Sequence, residues 1–224
     1  MNETGKSVHV VAAVLIDSRG RILVAQRPPG SHLAGGWEFP GGKLESGERP
    51  LQALARELRE ELGIEMGSGP HRPLRKVRHS YPDREVLIEA WVVRGYTGNP
   101  RGLDGQDIRW CRQQELAGVS LLAADAPIVD ALQLPERLVR KSTSTYAIGP
   151  RSPGKLAGAI CSDAEAALAA ENIGADFVAM RARIPHEELS DLCRVMSVPV
   201  FAKGIALETA WVLGATGINQ LISI

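Results

Sequence analysis

Three glutamates near the end of one amphipathic segment are the residues of this chain best suited to chemistry. Glu57, Glu60 and Glu61 stand at i, i+3 and i+4, so at ~100° per residue they share roughly a quarter of a helix turn. Like charges at these spacings repel one another, and a divalent cation with oxygen ligands offsets that repulsion directly. The alternative is a solvated acidic helix face, which is the usual meaning of a glutamate run.

The segment that must position these acids has the pattern of a helix with defined ends. Pro50 suits the first turn and Gly63 suits the C-terminus, while Gly41 and Gly42 form a turn just upstream. Arg56 precedes the first acid and is able to hold a carboxylate through two hydrogen bonds. The apolar stripe at helical spacing consists of Leu51, Leu54, Ala55, Leu58 and Leu62.

This stretch resembles the Nudix box, which reads glycine-x5-Glu-x7-Arg-Glu-apolar-x-Glu-Glu-x-Gly-apolar. The fixed places are filled by Gly42, Glu48, Arg56, Glu57, Leu58, Glu60, Glu61, Gly63 and Ile64. So many specified positions in so short a stretch make the resemblance highly specific.

The resemblance implies a hydrolase of phosphoanhydrides that uses Mg²⁺, or alternatively Mn²⁺. It implies metal ligands at Glu57, Glu60, Glu61 and the Gly41 carbonyl, with Arg56 as the residue that orients them. The general base is Glu57 or Glu60, and Glu48 is expected to brace the loop.

Asp104 stands where related proteins have a further acidic ligand or base. An aspartate is one methylene shorter than the glutamate that this pattern leads us to expect. A turn residue in Gly-Leu-Asp-Gly-Gln, at 102–106, is the equal alternative.

Further likeness outside the box is to the MutT subgroup of the family. It lies at 37–43, Trp-Glu-Phe-Pro-Gly-Gly-Lys, and at 81–84, Tyr-Pro-Asp-Arg. The subgroup hydrolyses nucleoside triphosphates to the monophosphate and pyrophosphate, prefers 8-oxo-dGTP and thereby cleans the nucleotide pool in support of DNA repair.

Four residues of this subgroup pattern are candidate substrate contacts. Arg27 matches an arginine that touches nucleotide, and Phe39 and Tyr81 are candidate walls for a planar base. Arg84 would meet phosphate or sugar. The alternatives are core packing for the two aromatic residues and a surface strand position for Arg84.

Asp125 is the main departure from the subgroup, which carries an asparagine that reads the base at this place. An amide donates and accepts hydrogen bonds, whereas an ionised aspartate only accepts, so the change bears on substrate choice. The alternative role is an N-cap for the helix that begins at Ala126. The two roles are compatible.

The first part of the chain reads as a Nudix α/β/α sandwich with a mixed sheet, over residues 1–138. Strands are predicted at 8–16 and 21–25, joined by a hairpin turn at 17–20, and at 74–79, 86–95 and 107–111. A short helix is predicted at 126–132. Strands flanked by helices on both sides predict this layered class.

Residues 139–153 read as a linker, and 154–224 alternate strands with helices, which predicts parallel β-α units. Four strands, at 156–161, 176–181, 199–202 and 217–222, are too few for an eight-stranded barrel. The tail resembles the C-terminal half of a thiamine-phosphate synthase, and 145–150 resembles its first strand. We therefore expect a partial β/α-barrel-like domain. Its open edges would be covered by a second copy in a homodimer or, alternatively, by docking on the Nudix domain.

Composition limits the remaining classes. The formal net charge is zero, so a small nucleotide substrate is expected and a nucleic-acid polymer is not. Three scattered cysteines, and no apolar run of the length that a membrane span needs, predict a cytoplasmic protein with reduced thiols and no membrane partner. Two hypotheses stand beside the leading one: a hydrolase of a thiamine-type pyrophosphate, and a non-catalytic nucleotide-binding regulator.

Overall fold

A computed structural model of the chain describes residues 6–221. Two compact units are present: unit 1 comprises Met1–His71 and Val77–Val129, and unit 2 comprises Arg72–Lys76 and Asp130–Ile224. Within the described residues, no helix is both long enough and apolar enough to traverse a bilayer.

The first part of the chain contains eight strands and two helices. Their bounds are β1 (Lys6–Leu15), β2 (Ile22–Gln26), β3 (Trp37–Glu38), α1 (Pro50–Leu62), β4 (Glu65–Met66), β5 (Arg72–Tyr81), β6 (Arg84–Val93), β7 (Tyr96–Thr97), β8 (Ile108–Cys111) and α2 (Ala126–Ala131). Two 3₁₀ helices, Gln113–Gly118 and Ala123–Asp125, precede α2.

These strands form three small sheets. One has the order β1-β6-β5, and its first two strands run parallel in register from Lys6 beside Arg84 to Leu15 beside Val93. The second has the order β3-β2-β8 and is antiparallel, and the third pairs β4 with β7. The architecture is therefore mixed α/β, as the sequence predicts.

The predicted hairpin between the first two strands is only partly correct. The turn is present, because the Asp17 carboxylate accepts hydrogen bonds from the backbone N–H groups of Arg19 and Arg21. A single bridge, Ile16 with Ile22, joins the strands beside it. Beyond that bridge β1 pairs with β6, and β2 pairs with β8.

Helix α1 has the predicted bounds because its ends are chemically marked. Pro50 lacks the N–H that a first turn leaves unpaired, and Gly63 adopts φ 66° while its N–H bonds to the carbonyl of Arg59. The buried face consists of Ala53, Leu54, Leu58 and Leu62, and it packs in one core with residues of β1, β2 and β6. Burying each leucine contributes roughly 1.5–3 kcal/mol, so packing fixes which face of α1 points outward.

Unit 2 contains a six-stranded parallel sheet in the order β10-β11-β12-β13-β14-β9. The bounds are β9 (Arg137–Leu138), β10 (Tyr146–Ile148), β11 (Leu156–Cys161), α3 (Ala164–Asn172), β12 (Phe177–Met180), α4 (His186–Val195), β13 (Val200–Lys203), α5 (Leu207–Val212) and β14 (Gly217–Asn219). The sheet is curled into a half-barrel, which confirms the partial barrel expected for the tail. The predicted last strand ends at Asn219, and its predicted final residue, Ile222, lies outside the described residues.

The sheet of unit 2 has a core on each face. One packs the helices against it, and the other, on the concave side, contains Tyr146, Phe177 and Phe201 in edge-to-face contact. The two margins of the sheet are β9, which pairs with β14, and β10, which pairs with β11. Residues 141–143 turn back on β10, because Ile148 donates its N–H to the Lys141 carbonyl and Thr143 donates its N–H to Tyr146.

Both marginal strands are short, with two residues in β9 and three in β10. Short edge strands are one of the ways in which proteins avoid edge-to-edge pairing, so this geometry lessens the need for the predicted homodimer, which stays a prediction. The three cysteines, Cys111, Cys161 and Cys193, are free and buried. The predicted division at 138 and 153 also stays a prediction, and the stretch 139–153 contains β10.

Candidate functional site

Two glycines bring the loop before α1 into contact with β1 and with the helix. Gly41 has φ 149°, and a Cβ there would stand 2.1 Å from the Val11 carbonyl oxygen. A Cβ on Gly42 would stand 2.2 Å from the carboxyl carbon of Glu57. Both distances are far below contact, so only glycine permits the approach. The Glu57 carboxylate therefore lies directly against the loop backbone.

Arg56 is the hub of the charged face of α1. Its Nε and one terminal nitrogen donate to the two oxygens of Glu48, each at 3.0 Å, and the other terminal nitrogen donates to Glu57 at 2.9 Å and to Glu60 at 3.1 Å. It also donates to the Lys43 carbonyl. The Glu48 carboxylate raises the pKa of Arg56 above its usual range, and Arg56 in turn lowers the pKa of Glu48.

Two of the three helix acids are held partly out of water. Burial raises the pKa of Glu57 above its ordinary value, against the opposing effect of Arg56. Burial, and then the charge of Glu57, raise the pKa of Glu61 to about 8 although Gly41 donates its N–H to that carboxylate. The charges of Glu38 and Asp104 add to this rise. Negative charges therefore concentrate around the Glu61 carboxylate, and a cation bound there would relieve their repulsion.

Glu60 differs from its two neighbours. Its side chain is 58% exposed, and its hydrogen bond is to Arg56 on the outer side of the helix. The structure therefore brings Glu57 and Glu61 together with Asp104 and leaves Glu60 at the rim.

The loop that carries Asp104 is tied to the end of α1 by Gln106. The Gln106 side chain accepts from the Asp104 N–H at 2.8 Å and donates to the Glu61 carbonyl at 3.2 Å. The Leu103 N–H also donates to the Glu61 carbonyl. Sequence reasoning overlooked Gln106. The signal was a polar residue between a glycine turn and a strand, and it is only 8% exposed.

The donor chemistry of this group fits a divalent cation. Carboxylate and carbonyl oxygens are the ligands that Mg²⁺ and Mn²⁺ favour. Burial raises the pKa of Glu57, although Arg56 donates to it, and the pKa of Glu61, although the Gly41 N–H donates to it, so a nearby cation would favour the charged form of both acids. Among residues 6–221, no three His, Cys, Asp or Glu side chains converge closely enough to ligate one ion. The residues therefore fit a divalent cation by the type of their ligand atoms. Arg56 holds two of the helix acids, Glu57 and Glu60, by hydrogen bonds.

Beside this group lies a cavity of about 310 Å³, within the range of small-molecule sites. Its polar lining consists of Arg27, His32, Glu38, Lys43, Tyr81, Arg84 and Asp125, and its apolar lining of Val8, Val10, Leu33, Val86, Ile88, Leu122 and Ala124. Four of the five predicted substrate residues therefore meet at one cavity.

Phe39, the fifth predicted substrate residue, has a different position. Its side chain is 3% exposed and is absent from the described lining of the cavity. It lies in the core, which is the alternative that the sequence left open. Its backbone N–H donates to the Asp125 carboxylate, so it contributes to the site through the main chain.

Glu38 is a residue of the cavity that sequence reasoning did not select. Both its oxygens accept from one nitrogen of Arg27 at 2.8 Å. Burial raises the pKa of Glu38, and the charge of Arg27 opposes that rise. The available signal was an acid between two aromatic residues in a strand, where a charge needs a partner.

Asp125 is 4% exposed, and its carboxyl group is mostly cut off from water. Burial, and then the charge of Glu38, raise the pKa of Asp125 well above its usual range, although Arg27 and the Phe39 N–H oppose this. The environment therefore favours the neutral acid, which donates one hydrogen bond and accepts another. In that form an aspartate offers the same pattern as an asparagine.

The arrangement joins two functions at adjacent places. Acids able to hold a hard cation lie against a glycine loop, and a cavity with an apolar side and hydrogen-bonding groups lies next to them. Such a pairing suits a substrate with a planar group and a polyphosphate.

Comparisons with known proteins point to one family. Residues 11–131 match the family model described as a NUDIX domain. A CTP pyrophosphohydrolase of Escherichia coli (strain K12) is 41% identical over 126 residues, covering 56% of this chain and 91% of that protein. An 8-oxo-dGTP diphosphatase of Proteus vulgaris is 46% identical over 88 residues, covering 39% and 77%. The solution structure of the E. coli ORF135 protein aligns at a TM-score of 0.51 with 38% identity, covering 59% of this chain and 93% of that one.

Proposed function

The chain belongs to the NUDIX family as a hydrolase of the MutT type, and we propose that it hydrolyses 8-oxo-dGTP or a related nucleoside triphosphate with Mg²⁺. The products are the nucleoside monophosphate and pyrophosphate. Family membership makes it an enzyme, which removes the hypothesis of a non-catalytic regulator. The observation that carries the proposal is that two partly buried carboxylates, Glu57 and Glu61, lie against the glycine loop beside a cavity lined by Arg27 and Asp125.

The reaction needs an oriented water and a base. The water oxygen bonds to phosphorus, the bond from that phosphorus to the oxygen bridging the α and β positions breaks, and the water proton passes to a carboxylate. We assign the base to Glu57, because it lies against Gly42 while the largely exposed Glu60 points to the rim. Arg56 fixes the orientation of Glu57, and Glu48 fixes Arg56.

The metal would be held by Glu57, Glu61 and the Gly41 carbonyl, with Glu60 and Asp104 as further ligands. When bound, Mg²⁺ neutralises phosphate charge and lowers the barrier to attack on phosphorus. Gln106 keeps Asp104 at the end of α1, so it positions that carboxylate.

In this proposal Asp125, in its neutral form, recognises the nucleobase of the substrate. Its O–H would donate to O6 of 8-oxoguanine and its C=O would accept from the N7–H that oxidation creates. Arg27 and Glu38 line the same cavity, while Tyr81 and Arg84 approach from β5 and β6.

CTP is the second candidate substrate, favoured by the 41% identical CTP pyrophosphohydrolase. A neutral Asp125 would donate to N3 of cytosine and accept from its N4 amino group. A thiamine-type pyrophosphate has no comparable support, since it was suggested only by the resemblance of the tail.

The test is turnover of 8-oxo-dGTP, dGTP, CTP and thiamine pyrophosphate, each with Mg²⁺ and with excess chelator. We expect 8-oxo-dGTP to have the highest kcat/KM and the chelator to abolish turnover. The control variant Glu65→Gln should hydrolyse each substrate as the wild-type protein does, because Glu65 follows α1 and pairs on the surface with Arg59. Preferred hydrolysis of thiamine pyrophosphate, or full activity under chelation, would reject the proposal.

Three wider expectations belong to the same proposal. They are the α/β/α sandwich arrangement of the Nudix part, a cytoplasmic location and a homodimer formed through the tail. Sedimentation equilibrium that gives a monomer at micromolar concentration would remove the last of these.

A further inference from the structure

Leu33 has a backbone conformation that leucine rarely adopts. Its φ is 59°, and it is the only non-glycine residue with positive φ among residues 6–221. For an L-residue this left-handed region is unfavourable, because the Cβ crowds the following carbonyl oxygen. Glycine would adopt the same conformation without that cost. Such a conformation persists only where the surroundings hold it in place.

The surroundings of Leu33 do hold it in place. On one side Arg27 donates its side-chain Nε–H to the His32 carbonyl, and on the other Arg27 donates its backbone N–H to Gly36 at 2.8 Å. The Gly36 N–H donates to the Leu33 carbonyl at 3.2 Å. The loop between β2 and β3 is thus hydrogen-bonded on both sides of this residue.

The side chain of Leu33 is not used by the core. It is 43% exposed, although a leucine is normally placed to bury its apolar surface. It lines the cavity described above, together with Leu122. Leu122 in turn lies on the loop, because a Cβ on Gly36 would stand 2.5 Å from its Cδ2 atom. Leu33 and Leu122 therefore both contribute apolar surface to the lining of the cavity.

Three independent features thus coincide at one residue: a strained backbone, unburied apolar surface and a place at the cavity. Core packing does not account for the exposed side chain, whereas a ligand with a flat apolar face gives a reason for a leucine, rather than a glycine, to occupy this strained position. A nucleobase has such a face, and packing against it would bury the surface that the protein leaves uncovered.

We propose that Leu33 is a specificity-determining residue whose side chain packs against the face of the nucleobase. The hydrogen-bonding groups Asp125, Glu38 and Arg27 read the edge of the base, while Leu33 excludes water from its face. The inference depends on the proposed function only for the identity of the ligand.

The test uses Leu33→Ala and Leu33→Gly, which remove the same surface but differ in backbone freedom. Both variants should raise KM for 8-oxo-dGTP and CTP by roughly 5- to 20-fold, with kcat changed less than about 2-fold. Leu33→Gly should also melt about 2–4 °C above Leu33→Ala, because glycine relieves the left-handed strain. Ile173→Ala, at an apolar residue that is 88% exposed in unit 2, is the control and should change neither value.

The outcomes separate this inference from the proposed function. If no triphosphate is hydrolysed by the wild-type protein, calorimetric titration with 8-oxo-dGMP and CMP still measures whether Leu33→Ala weakens binding. Unchanged KM and unchanged monophosphate affinity in both variants would overturn the role of Leu33. A melting temperature of Leu33→Gly equal to or below that of Leu33→Ala would overturn the strain on which it depends.

Discussion

Helix α1 of unit 1 and helix α4 of unit 2 both carry several acids, but they place them at opposite ends. In α4, Glu187 and Glu188 occupy the first turn, where they are exposed and where the helix dipole favours negative charge. In α1 the first turn has no acid. Glu57, Glu60 and Glu61 stand in the second half, where the dipole opposes them, and two of them are partly buried.

The difference teaches how to separate a functional acid from a structural one. Glu187 and Glu188 stabilise the first turn of α4 and are exposed to solvent. Those of α1 are unfavourable for the helix, for their neighbours and for burial, so folding alone gives no reason for their positions. A cation and a substrate phosphate would supply the missing positive charge and the missing role.

The strongest test of this comparison is Glu57→Gln against Glu188→Gln. The first should lower kcat by roughly 10²- to 10⁴-fold without lowering the melting temperature, because it removes repulsion with Glu61. The second should leave kcat unchanged and lower the melting temperature slightly, through loss of the dipole interaction. Loss of activity in Glu188→Gln, or full activity in Glu57→Gln, would contradict the distinction between the helices.

A smaller effect is expected from Arg56→Lys, which keeps the charge but loses the paired hydrogen bonds to Glu48. We expect kcat to fall roughly 10- to 100-fold, since Glu57 loses its fixed orientation. Arg59→Lys is the control on the same helix, because Arg59 pairs only with the exposed Glu65 among the described ion pairs. An equal fall in kcat in both variants would contradict a special role of Arg56 in orienting Glu57.

Asp125→Asn should change the pH dependence of stability. Because the folded protein raises the pKa of Asp125, it binds that proton more tightly than the unfolded chain does. This contribution is complete below the ordinary value of 3.8, and stability falls as pH rises from there towards the folded value. The variant lacks the decline, so its advantage in urea midpoint over wild type should be larger at pH 8 than at pH 4. An advantage that is the same at both pH values would show that Asp125 is not held neutral.

The smallest effect is expected in unit 2, at the N-cap of α3. Asp163 accepts a hydrogen bond from the Ala166 N–H, and this bond lowers its pKa, so its stabilising contribution is lost as pH falls through the lowered value. Asp163→Ala should lower the melting temperature at pH 7, whereas Asp163→Asn should not, because asparagine also caps well. Neither variant should change KM, and a change in KM would tie this cap to the nucleotide site.

The sequence predicted those parts of the molecule whose causes are local. Pro50, Gly63 and the leucine spacing determine α1, and the alternation of strands with helices determines the half-barrel. The pairing of β1 with β6 and of β2 with β8 was not predictable, because each of these partners lies more than sixty residues further along the chain. The Gln106 tie to Glu61 likewise depends on a contact between distant parts of the chain. The Arg27–Glu38 pair and the left-handed Leu33 are local to the loop between β2 and β3, but they depend on hydrogen bonds that the pattern of apolar residues does not reveal.

The two marginal strands of the sheet in unit 2, β9 and β10, are joined by a short stretch of chain. Leu138 lies beside β14 and Lys141 lies beside β10. Three residues reach at most about 10 Å, so the chain passes from one margin of the curled sheet to the other across a short gap. On the concave side Tyr146, Phe177 and Phe201 pack edge to face, so the protein's own side chains occupy the space in which a wider barrel would hold a ligand.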